Sequence, residues 1–274
     1  MPESILNRLR RPLRQVLATA RVAARSNLAY SGEVLSRTVF LAVILYIFFK
    51  LWQATYGQSH STVLGGLTLN QMLWYLTITE AITMSAPRLA QQIDEDVRSG
   101  TLAVRLLKPI DYPLYCLSTT LGERLVRFLA NLATGGLITL CLVGPPQLAA
   151  EAWLMLSLVV LPAFVLDGLG NLLIGLLAFW LEDTSGLVLI YSRLTMILGG
   201  MLIPIELFPH WLKEIVVLLP FPYLIWAPAH LFVQPESQTL VKVLMAQAIN
   251  IAVLLVAMRL LYSRALGRIS AHGG

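Results

Sequence analysis

The chain is built from long apolar runs, each near the roughly 20 residues that cross about 30 Å of hydrocarbon, and few folds can accommodate that. The runs lie at about Val34–Trp52, Val63–Ala86, Leu121–Val143, Trp153–Trp180, Leu187–Ile203 and Leu240–Tyr262. Backbone polar groups in lipid must be satisfied within the segment, so these runs predict helices. Charged residues make up only 13% of 274 residues, about half the share of a soluble domain. The expected fold is an all-α polytopic membrane protein with six transmembrane helices, forming a single transmembrane domain over 1–274.

The 20 lysines and arginines fix the orientation. Seven lie in residues 1–37. Arg88, Arg98, Arg105, Lys108, Arg124, Arg127, Arg193, Arg259, Arg264 and Arg268 share that side when the N-terminus is inside. Only Lys50, Lys213 and Lys242 are left outside. The positive-inside rule then puts both termini of a multi-pass protein in the cytoplasm; a bacterial inner membrane is the expected location.

The basic N-terminal segment leads into the first span with no linker, which favours anionic lipid headgroups over nucleic acid. No apolar h-region with a small-residue cleavage site follows the first arginines, so the first span is expected to stay as an anchor. Pro12 suits a first helical turn, and the spacing of Leu13, Val16, Leu17 and Ala20 predicts an interfacial helix over 12–28. Cys116 and Cys141 lie 25 residues apart on one predicted helix, about 37 Å, too far for a disulfide.

Enzyme templates are absent. No lysine follows a glycine, so there is no phosphate-binding G-x-x-x-x-G-K loop, and no H-E-x-x-H or G-x-S-x-G occurs. The chain is therefore expected to bind no cofactor and catalyse nothing; any ATP must be bound by another chain.

Two loops carry the functional expectation. In 88–111, Leu89, Ile93 and Val97 recur every four residues, predicting one face of a short helix. Gly100 suits a left-handed cap, and a second helix follows from Thr101 to Leu107. In 204–237, Pro220, Pro222 and Pro228 interrupt two apolar pieces, Ile215–Leu219 and Tyr223–Phe232. Each is too short to cross, which predicts re-entrant or interfacial helices, with an extra hairpin and eight spans as the alternative.

Gln92 to Ile110 reads Gln-Ile-Asp-Glu-Asp-Val-Arg-Ser-Gly-Thr-Leu-Ala-Val-Arg-Leu-Leu-Lys-Pro-Ile, and Pro204 to Ile215 reads Pro-Ile-Glu-Leu-Phe-Pro-His-Trp-Leu-Lys-Glu-Ile, followed by Leu219-Pro220-Phe221. Both stretches resemble segments of ABC type-2 exporter permeases, closest to the branch whose two permeases often differ. The resemblance implies that Gln91–Gly100 is a coupling helix seated in an ATPase subunit, with Gln91, Asp94, Glu95, Asp96, Arg98 and Gly100 at the contact. It implies an external gate carrying Pro204, Phe208, Pro209, Trp211, Pro220 and Phe221. It also implies a second permease, identical or homologous, with ATP and Mg on the ATPase subunits.

Ionisable residues within spans are costly and are functional candidates by default; here they are Glu80, Arg127, Asp167 and Arg193. Glu80, Arg127 and Arg193 sit near the cytoplasmic ends of their spans, where pairing or snorkelling explains them. Asp167 is nearer a span centre beside Gly168, Gly170 and Asn171, where glycines also permit close helix packing. A secondary ion-coupled transporter using Asp167 and Glu80 is the alternative function. A membrane-embedded enzyme is a third class, with no polar cluster at one depth to support it.

Overall fold

The computed structural model describes residues 22, 31–59, 61–107, 111–146 and 150–272. The expected interfacial helix over 12–28 lies outside them, apart from Val22. Ten helices follow in order among the described residues: α1 (Ser31–Ser59), α2 (Leu69–Met84), α3 (Leu89–Arg98), α4 (Thr101–Leu106), α5 (Tyr112–Val143), α6 (Ala150–Leu176), α7 (Ser185–Leu198), α8 (His210–Val216), α9 (Trp226–Val233) and α10 (Ser237–His272). Short 3-10 turns cover Leu177–Phe179, Ile205–Leu207 and Phe221–Tyr223. Four segments are long and apolar enough to cross a membrane: Ser36–Ser59, Tyr112–Val143, Ala150–Phe179 and Ser237–Gly267. Helices α2 and α7, with 16 and 14 residues, are shorter.

Several boundaries differ from the expectation. Helix α1 continues to Ser59, seven residues past the expected span end at Trp52. Val63–Ala86 is not one helix: β1 (Val63–Leu64) pairs antiparallel with β2 (Leu67–Thr68) in a hairpin. Gly65 and Gly66 make its turn at φ 58° and 83°, the two positive angles that a tight right-twisting hairpin turn needs. Helix α2 then starts from a capping box, in which Thr68 and Gln71 satisfy each other's backbone N–H groups. Helix α5 begins at Tyr112, nine residues before Leu121, with Pro113 in its first turn. It stops at Gly144, φ 82°. Asn70 donates to Val143 O at 2.9 Å and Trp74 to Gly144 O at 3.2 Å, covering carbonyls that a helix end leaves bare.

Helix α2 is the axis of the bundle. Met72 to Ile82 are buried without a break, packed among α1, α5 and α9. A helix enclosed by protein need not be apolar all round, which accounts for its polar residues. Thr77 meets Thr139 of α5 at 2.5 Å, and Thr79 donates to Met201 O at 3.1 Å. Helix α6 is the second hub, contacting α3, α5, α9 and α10. By contrast α7 buries no residue and carries exposed Leu189, Ile190, Leu194 and Ile197.

In 204–237, α8 has seven residues and α9 eight. Eight residues rise about 12 Å, well short of the roughly 30 Å of a hydrocarbon core, so neither helix is long enough for the extra hairpin of the eight-span alternative. Pro204, Pro209 and Pro220 each precede a short helix, where a missing N–H costs nothing. Helix α9 is buried against α2 and α6.

Candidate coupling elbow and buried ion pair

Helices α3 and α4 form an elbow whose corner is Gly100, φ 71°. Leu89, Ala90 and Ile93 face inward and are buried. Their seat is Gly175 of α6: a methyl group there would lie 2.8 Å from Ile93 Cβ and 3.1 Å from Ala90 O. Only a residue without a side chain lets the backbones approach this closely. The elbow is therefore held by a long helix of the bundle, not laid on the surface.

The polar residues of α3 divide between inside and outside. Asp96 is buried, accepts a hydrogen bond from Tyr112 Oη at 2.9 Å, and lies 2.8 Å from Arg105 Nη1. Asp94 accepts from Thr184 at 3.1 Å and pairs with Arg98 at 2.9 Å. Asp183 stands 3.6 Å from Arg98, its carboxyl held below the usual range by hydrogen bonds from Ser185 and by Arg98. Asp96 thus ties the elbow to α5, and Asp94 ties it to the turn before α7. Gln91 is half-buried; Glu95, Arg98 and Gly100 are exposed. Beside them the elbow exposes Val104 at 64% and Leu107 at 85%, an apolar corner that the sequence reading passed over.

Deeper in the bundle, Asp167 of α6 is paired with Arg124 of α5 at 2.5 Å. Tyr191 of α7 donates to Asp167 Oδ1 at 2.9 Å, and Asn171 donates to it at 3.2 Å. The Arg124 guanidinium also lies over the Phe164 ring, 4.3 Å from its centroid, a cation–π contact. Gly170 makes room for Tyr191, since a methyl group there would lie 2.5 Å from Tyr191 Oη.

Of the two explanations for Glu80, Arg127 and Arg193, pairing with one another is not found among the described residues. Glu80 is buried in α2 without an ion-pair partner among the described residues. Arg127 is 3.6 Å from Glu123, one turn away on its own helix. Arg193 is exposed, near Met196 Sδ. Arg124, which the charge count treated only as a cytoplasmic marker, is the residue that neutralises Asp167.

The gate residues are spread from core to surface. Pro204 is buried, Phe208, Pro220 and Phe221 are half-buried, and Pro209 and Trp211 are exposed. Phe221 meets the Tyr191 ring at 6.0 Å. The segment is fastened by Glu206, which accepts from Trp226 Nε1 at 2.9 Å. His230 Nδ1 lies 3.0 Å from the same oxygen, without the alignment of a hydrogen bond. Burial pushes the Glu206 carboxyl up, but His230 and the Trp226 bond outweigh it, so the group is held below the usual range. Tyr75 of α2 donates to Gly200 O, and Gly200 sits at φ 70°.

No curated protein matches the chain. The model of a family described as ABC-2 family transporter protein matches residues 39–273, a span that includes the elbow, the Asp167–Arg124 pair and the proline-broken segment. The chain belongs to the ABC-2 family of transporter membrane proteins.

Proposed function

We propose that the chain is one permease half of an ATP-driven exporter, completed by a second permease, identical or homologous, and by cytoplasmic ATPase subunits that bind ATP and Mg. Helices α1, α2, α5, α6, α7 and α10 are its six spans, with both termini in the cytoplasm. Short α2 is served by the hairpin at one end and by protein on every side. ATP binding closes the ATPases, draws the two elbows together and opens the segment 204–237 outward.

The observation that carries this reading is the elbow. Its inner face is fixed to α6 through Gly175, while Glu95, Arg98, Val104 and Leu107 are left facing outward. An apolar corner edged by charges suits a protein partner better than water, since charged rims set register and exposed apolar groups supply burial. The ion-coupled alternative is disfavoured by Asp167 itself. Three donors already occupy that carboxylate, leaving little capacity for a transported ion.

The test is Glu95→Arg in the tagged chain, with the ATPase recovered alongside it from membranes. Reduced recovery and reduced coupled transport, with normal membrane insertion, are the expected result. Normal recovery together with normal transport would sink the assignment.

A further inference from the structure

Two cavities flank the connector from α2 to α3, and Ala86, Pro87, Arg88 and Gln91 line both. On the α6–α7 side the cavity holds about 230 Å³. Its walls include Val188, Met196, Leu224 and Ile225, with Arg124, Asp167 and Tyr191 at its polar end. On the α1–α5 side a wider basin of about 620 Å³ brings Arg37, Arg88 and Arg127 together with Glu95 and Glu123.

Arg124, in the wall of the smaller cavity, carries an unmet donor. Arg124 is 3% exposed, and its Nη1 is taken by Asp167, but its Nε has no hydrogen-bond partner. A guanidinium only donates, and a buried donor left without an acceptor is destabilising. What satisfies it must bring an acceptor oxygen. Arg88 at the mouth is exposed, caps α3 without a side-chain bond, and adds a second positive charge against the single carboxylate of Asp167. The cavity is therefore cationic at its polar end and hydrocarbon-like along its walls.

We infer that the α2–α3 connector is a binding site, inside one protomer, for an anionic amphiphile. Its phosphate or carboxylate head meets Arg88 and Arg124, and its hydrocarbon lies against Val188, Met196, Leu224 and Ile225. Such a ligand sits where α3 begins, so its occupancy bears directly on the elbow. A membrane lipid and a soluble phosphate monoester share this chemistry. Neither requires an ATPase for binding.

The test uses the full chain in phosphatidylcholine nanodiscs, with its unfolding midpoint titrated against hexyl phosphate, inorganic phosphate and 1-hexanol. A ligand that binds only the folded state raises the midpoint by mass action. Hexyl phosphate is expected to give a saturable rise at concentrations at least about tenfold below inorganic phosphate, and hexanol none. Arg88→Gln raises the half-saturating concentration roughly tenfold, the loss of one charge-assisted contact. Val188→Trp, which fills the cavity, removes the response while the chain still recovers its ATPase. Equal potency of inorganic phosphate or of hexanol would overturn the proposal, as would titrations unchanged in both variants. A response blunted by phosphatidylglycerol in the nanodisc assigns the site to a lipid headgroup, and an undiminished one to a soluble monoester; either upholds the site. ATPase recovery in Arg88→Gln reads the permease assignment separately, so failure of one does not hide in the other.

Discussion

Asp167→Ala tests the bundle at its most charged point. The substitution removes the partner of an arginine that is 3% exposed and leaves that guanidinium over the Phe164 ring with no anion. Breaking one side of a buried pair costs about 3–5 kcal/mol, mostly from the stranded charge. Tyr191 also loses its acceptor, while Asn171 keeps the Asp167 backbone oxygen at 3.0 Å, which puts the loss toward the upper end. For a chain of this size that is a fall of roughly 10 °C or more in the unfolding midpoint. The assay is fluorescence-detected unfolding in detergent at one fixed scan rate, because membrane proteins often unfold irreversibly. Removing both charges separates the two causes. A well-packed apolar replacement of a buried pair is commonly neutral or stabilising, so Arg124→Leu with Asp167→Leu should recover at least half of the loss. The reasoning is refuted by a harmless Asp167→Ala, or by a double variant that loses the sum of the two single losses.

Three other perturbations follow from local geometry. Gly175→Ala places a methyl group 2.8 Å from Ile93 Cβ, so the elbow must shift; about 1–3 kcal/mol of overpacking and a marked drop in ATPase recovery are expected, read by unfolding midpoint and pull-down. Thr68→Ala removes the capping box of α2, costing about 1 kcal/mol in the same unfolding assay. Glu206 is held below the usual carboxylate range, so its contribution is present above about pH 4.3, the ordinary glutamate value, and is lost as pH falls through the lower folded value. The midpoint should therefore fall below about pH 4, and Glu206→Gln should flatten that acid limb.

The elbow was legible because its signals are local. A period of four in Leu89, Ile93 and Val97, followed by Gly100, specifies a short helix and a left-handed corner wherever it docks. Treating Asp94, Glu95 and Asp96 as one outward cluster ignored the 100° turn between successive helical residues. Asp96 is three residues from Ile93 and shares its buried side, which spacing alone could have shown. The hairpin escaped because Val63, Leu64 and Leu67 are as apolar as a span, so a hydropathy window merges them with α2; the Gly65-Gly66 pair was the signal. The early start of α5 was hidden by Tyr112 and Tyr115, which resemble interface residues although Pro113 marks a first turn. Arg124 was missed for a different reason. Counting arginines by side assigns each one to a surface, and no such count can tell which of them a carboxylate 43 residues away will draw inside.

Helix α6 links these parts in a single body. Gly175 near its end receives Ile93 of the elbow, Asp167 two turns earlier holds Arg124 and Tyr191, and Val159 accepts a hydrogen bond from Gln247 of α10 at 3.0 Å. Gln247 donates at the same distance to Tyr223 O, at the foot of the proline-broken segment. From Gly175 to Val159 the helix rises about 24 Å, most of the hydrocarbon thickness. A packed helix with two close-approach glycines has little slack for absorbing a displacement at one end. In the exporter proposed above, a displacement of α3 would bear on the ion pair and onward on Tyr223, and Pro162, which interrupts the hydrogen-bond ladder inside α6, is where a bend would divide the two halves. Because Tyr191 reaches Asp167 from α7 and also meets Phe221 at 6.0 Å, the same carboxylate has a second connection to the proline-broken segment. The Asp167–Arg124 pair, with Tyr191 donating to the same carboxylate, thus ties α5, α6 and α7 together at one point of the bundle.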